Sequence, residues 1–153
     1  MCIRDRFAIL AAILEAEGPL HDFLLQLEPA QAQEKLSHST HNFWEYHYSL
    51  SEPSRKRHSH SLSSNTIELL LINGIIPLQL AYARFQAKAS EGLEKALQHL
   101  QQLHPEDNRI VRFMSSEGHS SPANALESQA LLQLYKGHCV PVKCSSCALW
   151  PLK

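Results

Sequence analysis

NTIELLLINGIIPLQLAYARFQ, residues 65–86, is the stretch whose reading decides the fold. Ile67, Leu69, Leu70, Leu71, Ile72, Ile75, Ile76, Leu78 and Leu80 crowd it without the polar alternation of a strand. At helical pitch these side chains cover most of the circumference, which predicts a helix buried on most sides. Asn65, followed three residues later by Glu68, has the spacing of a capping box and predicts the N-terminus. Pro77 has no N–H to give the Asn73 carbonyl, and Gly74 stands beside it, so a kink is expected there. A membrane span is the rival reading. The run is short for a bilayer and is broken by Asn73, Pro77 and Gln79, so it reads as a core helix. The Asn73 and Gln79 amides, if enclosed, need hydrogen-bond partners.

Helical periodicity continues on both sides. FAILAAILEAE (7–17) is an apolar helix stopped by Gly18 and Pro19. In PLHDFLLQLEP (19–29), Leu20, Phe23, Leu24 and Leu27 fall on one face, and Pro29 ends this helix or opens the next turn. QAQEKLSHSTHN (31–42) reads as a helix end and a loop. SEGLEKALQHLQQLHPED (90–107) places Leu93, Ala96, Leu97, Leu100 and Leu103 at helical spacing, with Ser90 as cap and Pro105 as stop. NRIVRFMSSEG (108–118) is a short helix closing at Gly118. SSPANALESQALLQLYKGH (120–138) opens with Asn124 and Glu127 in capping-box spacing, and Gly137 fits a C-terminal cap. No strand alternation, internal repeat or phosphate-cradling glycine loop is present in the sequence. The expected fold class is therefore all-α: a compact, irregular helical array around the central buried helix. Residues 7–137 form the helical domain and 138–153 a cysteine-bearing tail.

A chain of 153 residues that is 44% hydrophobic suits one domain with a core, and a formal charge of −1 excludes a global basic field. The opening MCIRDRF raises a separate point. One back-translation, ATG-TGT-ATA-AGA-GAC-AG, spells a transposon end used in sequencing libraries. Residues 1–6 are therefore read as an artefact and set aside, native sequence beginning at Arg6 or Phe7. Cys2 goes with them, which leaves Cys139, Cys144 and Cys147 of the four cysteines.

There is no Gly-x-Ser-x-Gly elbow, no His-Glu-x-x-His and no Walker loop. The carboxylate pairs Glu15/Glu17 and Glu106/Asp107 read as solvated charge, so no catalytic residue is assigned. Phe43, Trp44, Tyr46 and Tyr48 form an aromatic cluster, read as a packing plug because base-stacking platforms sit in basic grooves. Arg55, Lys56 and Arg57 read first as a solvated loop, since three adjacent bases are a weak signal, and are the candidate nucleic-acid contacts as the alternative.

The tail CVPVKCSSC (139–147) has the spacing C-x4-C-x2-C. An x2 pair lets one tight turn aim two thiolates at one ion, and Cys139 supplies a third ligand. Zinc is the expected metal, acting to fold the tail, and an iron–sulfur cluster is the lesser option. Plain packed thiols and a Cys144/Cys147 redox pair are the alternatives. His138 adjoins Cys139 and is a poor fourth ligand. The loop is similar to the cluster loop of endonuclease III-like glycosylases, but Lys153 stands where that loop puts its last cysteine.

Several motifs together resemble the C-terminal region of a bacterial family, domain of unknown function 2851. These are Trp44, His47 and Tyr48; Leu71, Ile72, Asn73 and Pro77; Ser128, Gln129, Ala130 and Leu131; and Cys139, Cys144 and Cys147. The resemblance spans Phe7–Leu149. It implies a longer polypeptide whose N-terminal part carries acidic and histidine motifs similar to nuclease-type folds. That part would be this chain's partner. It implies no reaction, since the family has no assigned activity.

Two functions follow as expectations. One is a noncatalytic helical region accessory to a nuclease-like nucleic-acid enzyme, without turnover by itself. The other is a structural or protein-interaction module. A contiguous basic face of Arg55, Lys56, Arg57, Arg84, Lys88, Arg109 and Arg112 would favour the first, and an exposed apolar patch the second. The reading places the chain in the cytoplasm, off the membrane, and leaves its oligomeric state open.

Overall fold

A computed structural model describes residues 19–36, 46–47, 52–53, 55–56, 62–116 and 121–147. The expectations for Phe7–Glu17, Phe43, Trp44, Tyr48, Arg57 and Gly118 lie outside those residues. The described chain is all-α, as the periodicity predicts. Among the described residues no strand forms, and an isolated antiparallel bridge joins His47 and Pro53. The chain divides into two units, 1–92 and 93–153.

In the first unit, α1 (Leu20–Gln26) and α2 (Pro29–Leu36) pack on α3, one continuous helix over Ser64–Phe85. Phe23 and Leu27 are the buried residues of the first apolar face, and Lys35 Nζ of α2 lies 5.8 Å from the Phe23 ring centre. Ala32 and Leu36, one turn apart, bury α2, so the polar segment after Pro29 is a helix in its own right.

The N-terminus of α3 lies earlier than expected. Its cap is Ser63, whose Oγ accepts the Thr66 N–H at 3.3 Å, and Asn65 sits inside the first turn. Ser63 offers the same short acceptor two residues upstream, which lets the helix start earlier. At Pro77 the structure answers with a wider turn. Leu71–Ile75 is π-helical, and the Ile76 N–H reaches back to the Leu71 carbonyl. A π turn is one way a helix absorbs a carbonyl that proline cannot serve.

Burial of α3 also differs from the expectation. Ile67, Leu71, Ile72, Ile75 and Ile76 are buried, whereas Leu69, Leu70, Leu78, Tyr82 and Phe85 are exposed. The described partners of α3 in this unit, α1 and α2, are short and cover one stripe. Only 28% of its most apolar window is buried, and by length and composition alone the helix could cross a membrane. Of the two amides, Asn73 is exposed and its Nδ2 donates to the Leu69 carbonyl at 3.2 Å. Gln79 is the tie: its Nε2 donates to the carbonyls of Leu24 and Leu27, each at 2.9 Å, serving the C-terminal end of α1.

A tight corner leads out of α3. The Lys88 N–H bonds to the Ala83 carbonyl at 2.8 Å and the Ala87 N–H to Arg84 at 3.1 Å, the bonding of a Schellman motif. Ala87 occupies the left-handed position with φ 59°, where glycine is usual. The helix α4 (Ala89–Gln102) follows, so Ser90 lies within it and does not cap it. At Gly92 a Cβ would stand 2.3 Å from the Ala83 Cβ, so only hydrogen fits between these segments.

In the second unit α5 (Arg109–Ser116) packs against α6 (Ala125–Leu134). Asn108 caps α5, its Oδ1 accepting the N–H groups of Ile110 and Val111 at 3.0 Å each. Val111 and Met114 are its buried residues. Asn124 caps α6 as predicted, with the Glu127 N–H donating to Asn124 Oδ1 at 3.0 Å. The Glu127 carboxylate reaches back to the Ala123 N–H at 2.8 Å, completing the box one residue further out.

Candidate metal centre

The tail grows directly from α6. Tyr135–Cys139 form a second π turn, closed by the Val140 N–H on the Tyr135 carbonyl at 3.0 Å. Gly137 lies inside this turn and not in a left-handed cap, so the predicted stop at Gly137 is overturned. The reversal comes later. Val142 takes φ 55°, its N–H donates to the Cys139 carbonyl at 3.1 Å, and Lys143 N–H donates to the His138 carbonyl at 2.8 Å. A β-branched residue rarely adopts this backbone, so the spacer between the cysteines is strained. Cys144–Ser146 then form a 3-10 turn, with the Cys147 N–H on the Cys144 carbonyl at 3.0 Å.

All three thiols are free; Cys139 and Cys144 are exposed and Cys147 is half-buried. Among the described residues, no three His, Cys, Asp or Glu side chains gather closely enough to hold an ion. The donors are soft, as zinc requires, but their present arrangement does not form a shell. His138, adjacent to Cys139, has a buried Nδ1 without a hydrogen-bond partner.

Behind the tail, α6 is anchored at its start. Ser128 is fully buried; its Oγ donates to the Ala125 carbonyl at 3.0 Å and accepts the Glu106 N–H at 3.1 Å. The Glu106 carboxylate accepts from Asn108 Nδ2 at 3.0 Å and from Gln129 Nε2 at 3.1 Å. Glu106 is thus a half-buried clasp, not the solvated charge that its neighbour Asp107 suggested. Of its partners Asn108 is two residues away, whereas Ser128 and Gln129, which tie it to α6, lie more than 20 residues away. Arg109, Ile110 and Phe113 of α5 face Tyr135 across an open groove of about 540 Å³. The Phe113 and Tyr135 rings meet edge to face, with centres 6.0 Å apart and planes at 76°. Among the described residues its polar lining is an arginine and a phenol.

The expected basic face divides between the two units. Arg55, Lys56, Arg84 and Lys88 are exposed in the first, and Arg109 and Arg112 in the second. Arg112 Nε already lies 3.4 Å from Asp107 Oδ1.

Comparison with known proteins adds one finding. No curated protein and no solved structure matches the chain. A sequence profile described as protein of unknown function (DUF2851) matches residues 4–109. The Trp44–Tyr48 and Leu71–Pro77 motifs fall inside that span, and the Ser128–Leu131 and cysteine motifs outside it. Since the matched span is well over half of the chain, the protein belongs to the DUF2851 family of unknown function.

Proposed function

We propose that this chain is a noncatalytic helical module that docks onto another protein segment of the family's polypeptide through the outer face of α3. One observation carries the reading. Leu69, Leu70, Asn73, Gly74, Pro77, Leu78, Ala81, Tyr82 and Phe85 are exposed and recur every three or four residues along α3, and exposed Arg84 near the C-terminal end is the charge beside them. A large, mostly apolar exposed face on a helix is a docking signature. Its partner is expected to be apolar and poor in charge. The setting is accessory to a nuclease-like part, where exposed Arg55 and Lys56 contact phosphate. This chain alone is expected not to cleave nucleic acid, because among the described residues no three His, Cys, Asp or Glu side chains gather.

Hydrogen exchange over residues 69–85 tests the docking. Those amides are expected to exchange more slowly in a longer family member than in this chain alone. Equal exchange in both, or flotation of the chain with phosphatidylglycerol vesicles, would reject a protein partner.

A second reading concerns the tail. The three free thiols lie within nine residues, on a turn closed by the His138–Lys143 bond. We propose that zinc draws Cys139 onto the Cys144/Cys147 pair and so folds the tail. Metal analysis of the purified chain is expected to find zinc, lost on Cys144→Ser; absence of both zinc and iron sinks this reading.

A further inference from the structure

We infer that Cys144 and Cys147 are a reversible disulfide site, with Cys139 excluded from it. The 3-10 turn supplies the geometry. With three residues per turn, side chains three apart eclipse one another. The Cys147 N–H bond to the Cys144 carbonyl at 3.0 Å fixes that relation here. At a rise of about 2 Å per residue the two Cα atoms stand roughly 6 Å apart, within the span a disulfide bridges. Cys139 is held differently. It ends the π turn, its carbonyl is taken by the Val142 N–H at 3.1 Å, and among the described residues it does not gather with both other thiols.

Exposure assigns the order of events. Cys144 is exposed and Cys147 is half-buried. The Cys144 thiolate attacks one sulfur of glutathione disulfide, and one glutathione thiolate leaves. The Cys147 thiolate then attacks Cys144 Sγ and expels the second glutathione. Two thiols are oxidised to one disulfide, and glutathione disulfide is reduced to two thiols. The protons lost by the cysteines are balanced by those taken up by the leaving thiolates. Thiol–disulfide exchange runs through such a mixed disulfide.

The inference does not need the zinc reading. A chain without zinc leaves it intact, and failure of the disulfide leaves metal binding to its own measurement.

The test uses the full chain, freed of reductant, incubated with glutathione disulfide, quenched with iodoacetamide and digested with trypsin. Cleavage after Lys136 and Lys143 separates Cys139 from the peptide that holds both Cys144 and Cys147. That peptide is expected to lose two hydrogens in mass and to take no alkyl group, while Cys139 carries an alkyl group or a single glutathione and no bridge. Dithiothreitol should restore both thiols. Cys139→Ser should leave the disulfide unchanged, and Cys147→Ser should retain glutathione on Cys144. A persistent glutathione adduct on the wild-type pair, full alkylation of both, or a bridge from Cys139 to either one would overturn the assignment.

Discussion

The two π turns use one backbone device to opposite ends. In α3 the turn at Leu71–Ile75 has helix on both sides and buries Leu71, Ile72 and Ile75. At the end of α6 the turn at Tyr135–Cys139 has helix on one side, buries none of its residues and releases the chain into the tail. A widened turn is therefore not itself a weak point. Its stability depends on what its side chains touch.

The largest expected effect is at the buried turn. Leu71→Ala, at a side chain 1% exposed, should destabilise the first unit by about 2–5 kcal/mol in urea unfolding. A loss below about 1 kcal/mol would mean that packing does not hold the turn. Next comes the anchor of the exposed turn. Ser128→Ala removes the acceptor for the Glu106 N–H and should cost about 1–3 kcal/mol, with faster exchange at that amide. Unchanged exchange would show that the clasp is dispensable. The smallest effect belongs to Gly137→Ala, where no atom lies within 4 Å of the added methyl. Stability should rise by at most about 1 kcal/mol, because alanine suits a helical turn better than glycine. A clear loss would contradict the exposed π turn and restore a glycine-dependent cap.

How far the sequence could be read follows from the range of each interaction. Asn124 was legible because its partner Glu127 is three residues away. The same logic misplaced the start of α3, since Ser63 and Asn65 are both good caps and local spacing does not rank them. Apolar crowding in 65–86 identified a helix but not which face is covered. Coverage depends on the lengths of α1 and α2. The Glu106 clasp was invisible because it closes through Ser128 and Gln129 on another helix. In the tail, C-x4-C-x2-C was legible as chemistry. The strained Val142 and the 3-10 turn over Cys144–Ser146 are backbone facts that composition does not carry.

Gly92 has a consequence for descent. Its missing side chain is the room in which Ala83 sits, and Ala83 has no flexible end to move aside. Every amino-acid replacement there adds at least a Cβ. The apolar positions of α3 can drift among leucine, isoleucine and methionine with small losses. Position 92 has no such neighbours in sequence space. It would be inherited unchanged until Ala83 and the corner beside it moved together, so the two sites are expected to vary as one across related chains.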